Sequence, residues 1–458
     1  MVFGPQPLPP PFLYLNESKV KNGQKNNNSA TKTKKFLFVS WESLSGDLAW
    51  QIQKEGYQVK VYIKNSDEQD VYNGLLEKVD DWKKFIDWAD VIIFDDVGFG
   101  SSADNLRKNG KLVIGGSVYT DRLEEDREFG QSEMDRLGML TLAHWDFSDY
   151  NEALKFLKEN PGRYVWKPSG NTPSDMKGIL FLGREEDGRD IIEMIEHNKE
   201  TWAKKIKNFQ LQKFVSGVEV AVGAFFNGED FIYPVNVNFE HKKLFPGDIG
   251  PYTGEMGTLM YWSPPNTIFN LTLAKVKEEL KKSGYVGYVD INCIANARGV
   301  YPLEWTCRFG YPTISIQIEG VTSEWGEFLY ALASKQPFEL KTKKGFQIGA
   351  VIAVPPFPYS DKREFEIYKD ISILFKKQNN LEGVHLGDVK LIDGDWRLAG
   401  ESGYALIVTG SGLTVQEARH QMYSRINNIM LQNMYYRTDI GLKWNQDSDK
   451  LQMWGYLY

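Results

Sequence analysis

Cysteine is nearly absent: Cys293 and Cys307 are the only two in 458 residues, and they do not form a CxxC pair. That excludes a disulfide framework and a cysteine-ligated zinc site, and makes reduced thiols in a cytoplasm the expectation. The five histidines show no HExxH spacing. The helix-linked phosphate loop GxxxxGKS/T does not occur anywhere. No apolar run is long enough to cross a bilayer. There is no excess of positive charge: 54 Lys and Arg against 61 Asp and Glu leave a net charge of -7, so no nucleic-acid partner is expected. The first 35 residues have neither a basic flank before an apolar stretch nor a small-residue cleavage site, so they do not read as a signal peptide. Prolines followed by Asn, Lys, Gly and Ser make residues 1–35 a disordered tail, or one docked through Phe12 to Leu15.

Apolar content is ample, at 42 % hydrophobic with 14 % aromatic residues, and the length suggests two to four units. From residue 36 to 125, short β-prone runs ("FLFVS", "VKVYIK", "VIIFDD", "KLVIGG") alternate with helix-like segments. That order predicts an α/β domain with a doubly wound parallel sheet. Residues 126–345 mix helices with hairpin-like strands, and a subdomain is expected at about 140–215. Residues 346–458 read as a β-rich α+β domain closing with the helix "TVQEARHQMYSRINNIM".

Three stretches carry candidate chemistry. In "YVWKPSGNTPSDMKGILFLG", Lys167 and Lys177 flank a loop whose Ser169, Gly170, Thr172 and Ser174 offer hydroxyl and backbone donors. This is the composition of a flexible phosphate cover, and equally of a plain surface turn. In "GYVDINCIANARGVYPLEWTCRFG", Asp290 and Glu304 fall on neighbouring strands, where two hard carboxylates suit Mg²⁺. Arg308, four residues past Glu304, shares its face by period two if the strand continues, and its forked donors suit an acyl phosphate or carboxylate. A salt-bridged solvated face is the alternative. The third stretch, residues 241–262, holds His241, Lys242, Lys243, Asp248 and Glu255 among Gly and Pro, as in an acceptor loop or an exposed lid. A fourth signal, "DVGFGSSAD", matches a dinucleotide fingerprint through Gly98, Gly100 and Ala103, but a turn feeding a helix N-terminus with room for a phosphate explains it as well. Cys307, on a packed strand, reads as inert.

In this order, these stretches resemble the ATP-grasp ligases, in particular the glycinamide ribonucleotide synthetase (phosphoribosylamine–glycine ligase) family, from about residue 36 to 442. The resemblance implies an ATP-grasp fold at 126–345, with the α/β domain before it and the β-rich domain after it. It places Arg127, Lys167, Lys177, Gln212, Lys213, Phe214, Val215 and Glu219 at ATP. The metal, Mg²⁺ with Mn²⁺ as a substitute, falls to Asp290 and Glu304. The acceptor loop "HKKLFPGDIGPYTGEMG" resembles the family's pattern and implies substrate contacts from His241, Lys242, Asp248, Gly250, Pro251, Thr253, Gly254 and Arg308. Arg308 and Lys177 take the catalytic roles.

The likeness further implies a cytoplasmic purine-biosynthesis ligase, monomeric or homodimeric and not membrane-bound. It would join a small carboxylate to an amine through an acyl phosphate. Three features depart from the pattern. "SWESLSG" stands in the family's first glycine-rich loop, Thr306 stands for an Asn, and Tyr311-Pro312-Thr313 replaces Asp-Pro-Glu. Altered substrates are one implication, and an ATP-binding homologue without turnover is the alternative.

Overall fold

Four apolar runs build the first sheet. Strands Gln58–Ile63, Lys35–Ser40, Val91–Phe94 and Leu112–Ile114 lie side by side in that order, and every pairing is parallel. Phe36 to Val39 are fully buried, as expected of a strand covered on both faces. The computed structural model describes residues 33–169, 180–359, 361–377 and 381–458. Lys177, Gly170, Thr172, Ser174 and most of the tail lie outside the described residues.

The glycine-rich turn at Gly98 leads into helix Gly100–Lys108, and no phosphate is needed to cap it. Asp121 Oδ2 accepts from Gly100 N at 2.7 Å, so a carboxylate of the chain itself fills the anion position. This removes the reason to read a dinucleotide there.

The largest element is an eight-stranded sheet, with all its pairings antiparallel. Its order is Gly299–Thr306, Gly287–Asn296, Val218–Phe226, Phe231–Glu240, Gly257–Ser263, Phe346–Ala353, Tyr404–Gly412 and Val384–Leu386. The sheet therefore runs past residue 345. Strand Phe346–Ala353 pairs with Gly257–Ser263, so the C-terminal strands extend the central ones. Asp47 ties the first unit to this body. It accepts from His385 Nδ1 at 2.8 Å, Leu386 N at 3.1 Å and Ser315 Oγ at 2.9 Å.

A second four-stranded sheet, in the order His144–Phe147, Asn208–Lys213, Tyr164–Ser169 and Phe181–Leu182, carries helices Tyr150–Glu159 and Arg189–Trp202 and has a core of its own. Period two decides its faces. Tyr164 and Trp166 enter that core, Trp166 stacking on Trp202 with ring centroids 4.6 Å apart. Val165 and Lys167 point the other way. The run "TLAKVKEELKKSG", expected as one helix, splits into a 3₁₀ turn at Leu273–Val276 and an α-helix at Lys277–Ser283, ended by Gly284 in the left-handed region. Among the described residues, no helix is long and apolar enough to cross a membrane.

Candidate active site

A cleft of about 1670 Å³ opens between the small sheet, the large sheet and the helix Arg127–Arg136. Lys167 reaches it from the small sheet, and its Nζ donates to Gln212 Oε1 at 2.7 Å. Burial, reinforced by the positive charge of Arg127, lowers the Lys167 pKa to about 7. Gln212, Lys213, Phe214, Val215 and Glu219 follow one another along the wall. Arg163 lies over the Phe214 ring at 3.5 Å and holds this strap in place.

The floor is one face of the large sheet. Glu304 pairs in register with Asn292, Asn292 with Ala221, and Asp290 with Thr306 and Gly223. Asn236, Asn238 and Glu240 alternate along the next strand and bring that face a third row of polar groups. A side chain at position 223 does not fit. An added Cβ would lie 1.9 Å from Tyr288 Oη and 2.7 Å from Asp290 Oδ2.

Lys242 sits at the centre. Its Nζ is 2.7 Å from Glu304 Oε1, 3.1 Å from Glu240 Oε2 and 3.5 Å from Glu219 Oε1. Burial opposes its charge, yet the three carboxylates outweigh that cost and push its pKa well above the usual lysine value. In return, Lys242 holds Glu304 down to about 2. Asn292 Nδ2 donates to Glu240 Oε2 at 3.0 Å and to Glu219 Oε1 at 3.3 Å. Hard carboxylate oxygens of this kind suit a divalent cation. Among the described residues no group of three His, Cys, Asp or Glu side chains is arranged to hold a metal ion.

Glu304 and Asp290, the expected metal pair, differ in their surroundings. Asp290 lines the same cleft, but it is anchored by Asn238 Nδ2 at 2.9 Å and Tyr288 Oη at 3.1 Å, and burial raises its pKa to about 7. The carboxylate that converges with Glu304 is Glu240, which sequence reading did not select. The period-two run Asn236, Asn238, Glu240 in a buried strand was the available signal.

Arg308 also differs from expectation. The strand ends at Thr306, so face-sharing by period two does not extend to Arg308. Its Nε lies 3.1 Å from Glu124 Oε1 and 3.4 Å from Asp96 Oδ1, at the junction of helices Val118–Glu125 and Arg127–Arg136 with the first sheet. It still lines the cleft, as do Arg127, His241, Lys242, Asp248, Gly250, Thr253 and Gly254, while Pro251 is outside the lining.

The segment expected as an acceptor loop forms a short hairpin, with strands Lys243–Phe245 and Ile249–Tyr252 paired. Asp248 accepts from the fully buried Arg437 at 2.9 Å and also pairs with Lys443, clasping the hairpin to the C-terminal tail. Both N and Oγ1 of Thr253 donate to the Lys242 carbonyl at 2.8 Å, which fixes that lysine's backbone. Burial, with Arg437 nearby, lowers His241 to about 4, so it is neutral at pH 7. Cys293 and Cys307 are both buried and free.

A family model described as phosphoribosylglycinamide synthetase, ATP-grasp (A) domain, matches residues 125–314, and one for the C domain of the same synthetase matches residues 347–443. The phosphoribosylamine–glycine ligase of Streptococcus pneumoniae (strain ATCC BAA-255 / R6) is 27% identical over 360 residues, covering 76% of this chain and 82% of the relative. That of Listeria monocytogenes serovar 1/2a is 26% identical over 352 residues, covering 74% and 80%. Among solved structures, the phosphoribosylamine–glycine ligase of Thermotoga maritima has a TM-score of 0.68 at 20% identity, over 89% of this chain and 100% of that one. The biotin carboxylase domain of the Hydrogenobacter thermophilus 2-oxoglutarate carboxylase, solved with MgADP and bicarbonate, has a TM-score of 0.59 at 14% identity, over 93% and 96%.

Proposed function

This chain belongs to the phosphoribosylglycinamide synthetase family of ATP-grasp proteins and is an ATP-dependent carboxylate–amine ligase, and we propose that its cleft joins the two substrates through an acyl phosphate. The observation that carries this reading is the two-sided cleft. Lys167 enters from the small sheet, and Lys242 with Glu240 and Glu304 from the large one, with room between them for a nucleotide.

ATP would lie with its base against the strap from Gln212 to Val215. Lys167, Arg127 and Lys242 meet the triphosphate as fixed positive charge. Glu240 and Glu304 would hold Mg²⁺, with Mn²⁺ as a substitute, and the ion supplies charge neutralisation on the phosphate oxygens. A carboxylate oxygen of the acid attacks the γ-phosphorus, and the bond to ADP breaks. Arg308, held by Glu124 and Asp96, would orient the acyl phosphate through its forked donors. The amine then attacks the carbonyl carbon, phosphate leaves and the amine loses a proton. No covalent enzyme intermediate is needed, so catalysis rests on positioning and charge. Arg308 and Lys177 are the catalytic residues in this reading. We also place the enzyme in the cytoplasm, as a monomer or homodimer.

ADP release from MgATP, screened against carboxylate–amine pairs beginning with glycine and phosphoribosylamine, tests the reaction. Release stimulated by one pair is expected. Nucleotide binding with no pair stimulating ADP would leave a protein that holds ATP without ligating.

A further inference from the structure

Two buried glutamines meet where the small sheet rests on the helix Arg127–Arg136. Gln131, in that helix, is 4% exposed, and Gln210, in strand Asn208–Lys213, is fully buried. Their side-chain amides pair reciprocally. Gln131 Nε2 donates to Gln210 Oε1 at 3.2 Å, and Gln210 Nε2 donates to Gln131 Oε1 at 2.7 Å. Gln210 Nε2 also donates to Asp146 Oδ1 at 3.1 Å, in the neighbouring strand.

Each member of the pair stands beside a cation of the cleft. Phe209 and Leu211 enter the core of the small sheet, so Gln210 between them faces the other way, with Lys167 as its in-register neighbour. Arg127 lies four residues before Gln131, one turn along the same helix face. The helix is in turn fastened to the floor, where Trp305 Nε1, next in sequence to Glu304, donates to the Gly130 carbonyl at 3.2 Å. The small sheet has an apolar core of its own, so a directional contact at this seam bears on how it sits over the floor. Two hydrogen bonds between one pair of planar groups fix direction as well as distance. Removing either amide leaves the other buried without its partner.

We infer that the Gln131–Gln210 pair is a positioning joint, which holds Lys167 and Arg127 at one separation so that both cations meet the same triphosphate. The glutamines act through those two residues and not by touching the nucleotide. The inference rests on the reading of the cleft as an ATP site and adds residues which that reading does not use.

Calorimetry of the full chain with MgATP, and with adenosine as a probe without phosphate, tests it. Gln131→Leu and Gln210→Leu should each weaken MgATP binding roughly tenfold or more and leave adenosine binding as in the wild type. The double variant should lose no more than the more affected single, because a joint already open cannot be opened again. A general loss of packing would instead weaken both probes and add up across the two positions. Unchanged MgATP affinity in the singles, equal losses for MgATP and adenosine, or additive losses in the double overturn the joint. Where one single variant does not fold, the other single compared with the double decides. A wild-type chain that binds neither probe overturns the ATP site itself, which separates that failure from failure of the joint.

Discussion

Lys242 Nζ lies 2.7 Å from Glu304 Oε1, and that contact joins the end of strand Phe231–Glu240 to the outermost strand of the same sheet. The lysine is the common counter-ion of three carboxylates, so its removal affects all of them. Lys242→Met should lower ADP release about 100-fold or more. Added Mg²⁺ should raise the variant's melting temperature more than the wild type's, because the ion is then the only cation those carboxylates can share. Equal Mg²⁺ shifts in the two proteins would contradict the arrangement.

Glu304 carries a pH signature. Its pKa falls from 4.5 to about 2 because Lys242 stabilises the charged form. A depressed carboxylate contributes stability that is fully present above its unfolded pKa and is lost as pH falls through the folded one. The stability advantage of wild type over Glu304→Gln, measured by urea unfolding, should therefore be flat above about pH 4.5 and shrink toward pH 2. Turnover of Glu304→Gln at neutral pH should be lower by about 100-fold or more.

Lys167 behaves in the opposite sense. Its pKa is lowered from 10.5 to about 7, first by burial and then by Arg127. Between those values the unfolded chain holds more protons than the folded one, so this residue makes stability rise with pH from about 7 to 10.5. Triphosphate beside Lys167 favours the charged amine, so ATP binding should take up a proton just above neutral pH. Calorimetry in buffers of different ionisation enthalpy reads that uptake, and Lys167→Met should abolish it.

Gly223→Ala tests the floor. Its Cβ would lie 1.9 Å from Tyr288 Oη and 2.7 Å from Asp290 Oδ2, so both side chains must move. Overpacking of this kind costs about 1–3 kcal/mol. A matching fall in urea midpoint and weaker substrate binding are expected, with nucleotide affinity nearly preserved because the strap is untouched.

The two lysine-bearing stretches and the two strands around Glu304 were legible because short-range periodicity governs them. Alternation in "YVWK" sends Trp166 into a core and Lys167 into the cleft, whatever surrounds the strand. Glu240 was missed because alternation shows which way a residue faces and not which strand lies beside it. Its strand stands two places from the one carrying Asp290, and only sheet order brings those rows together. Arg308 does not share the face of Glu304, because its strand stops at Thr306 and its direction is set by Glu124 and Asp96 from another unit.

Local pattern and charge chemistry in the chain itself determined the layered α/β and antiparallel architecture, the cleft-facing lysine and the carboxylate-rich floor. The folded molecule alone decided which carboxylates share Lys242 and which acids hold Arg308. Those choices depend on distances between residues tens to hundreds of positions apart, and Coulomb and desolvation energies act through space, not along the chain.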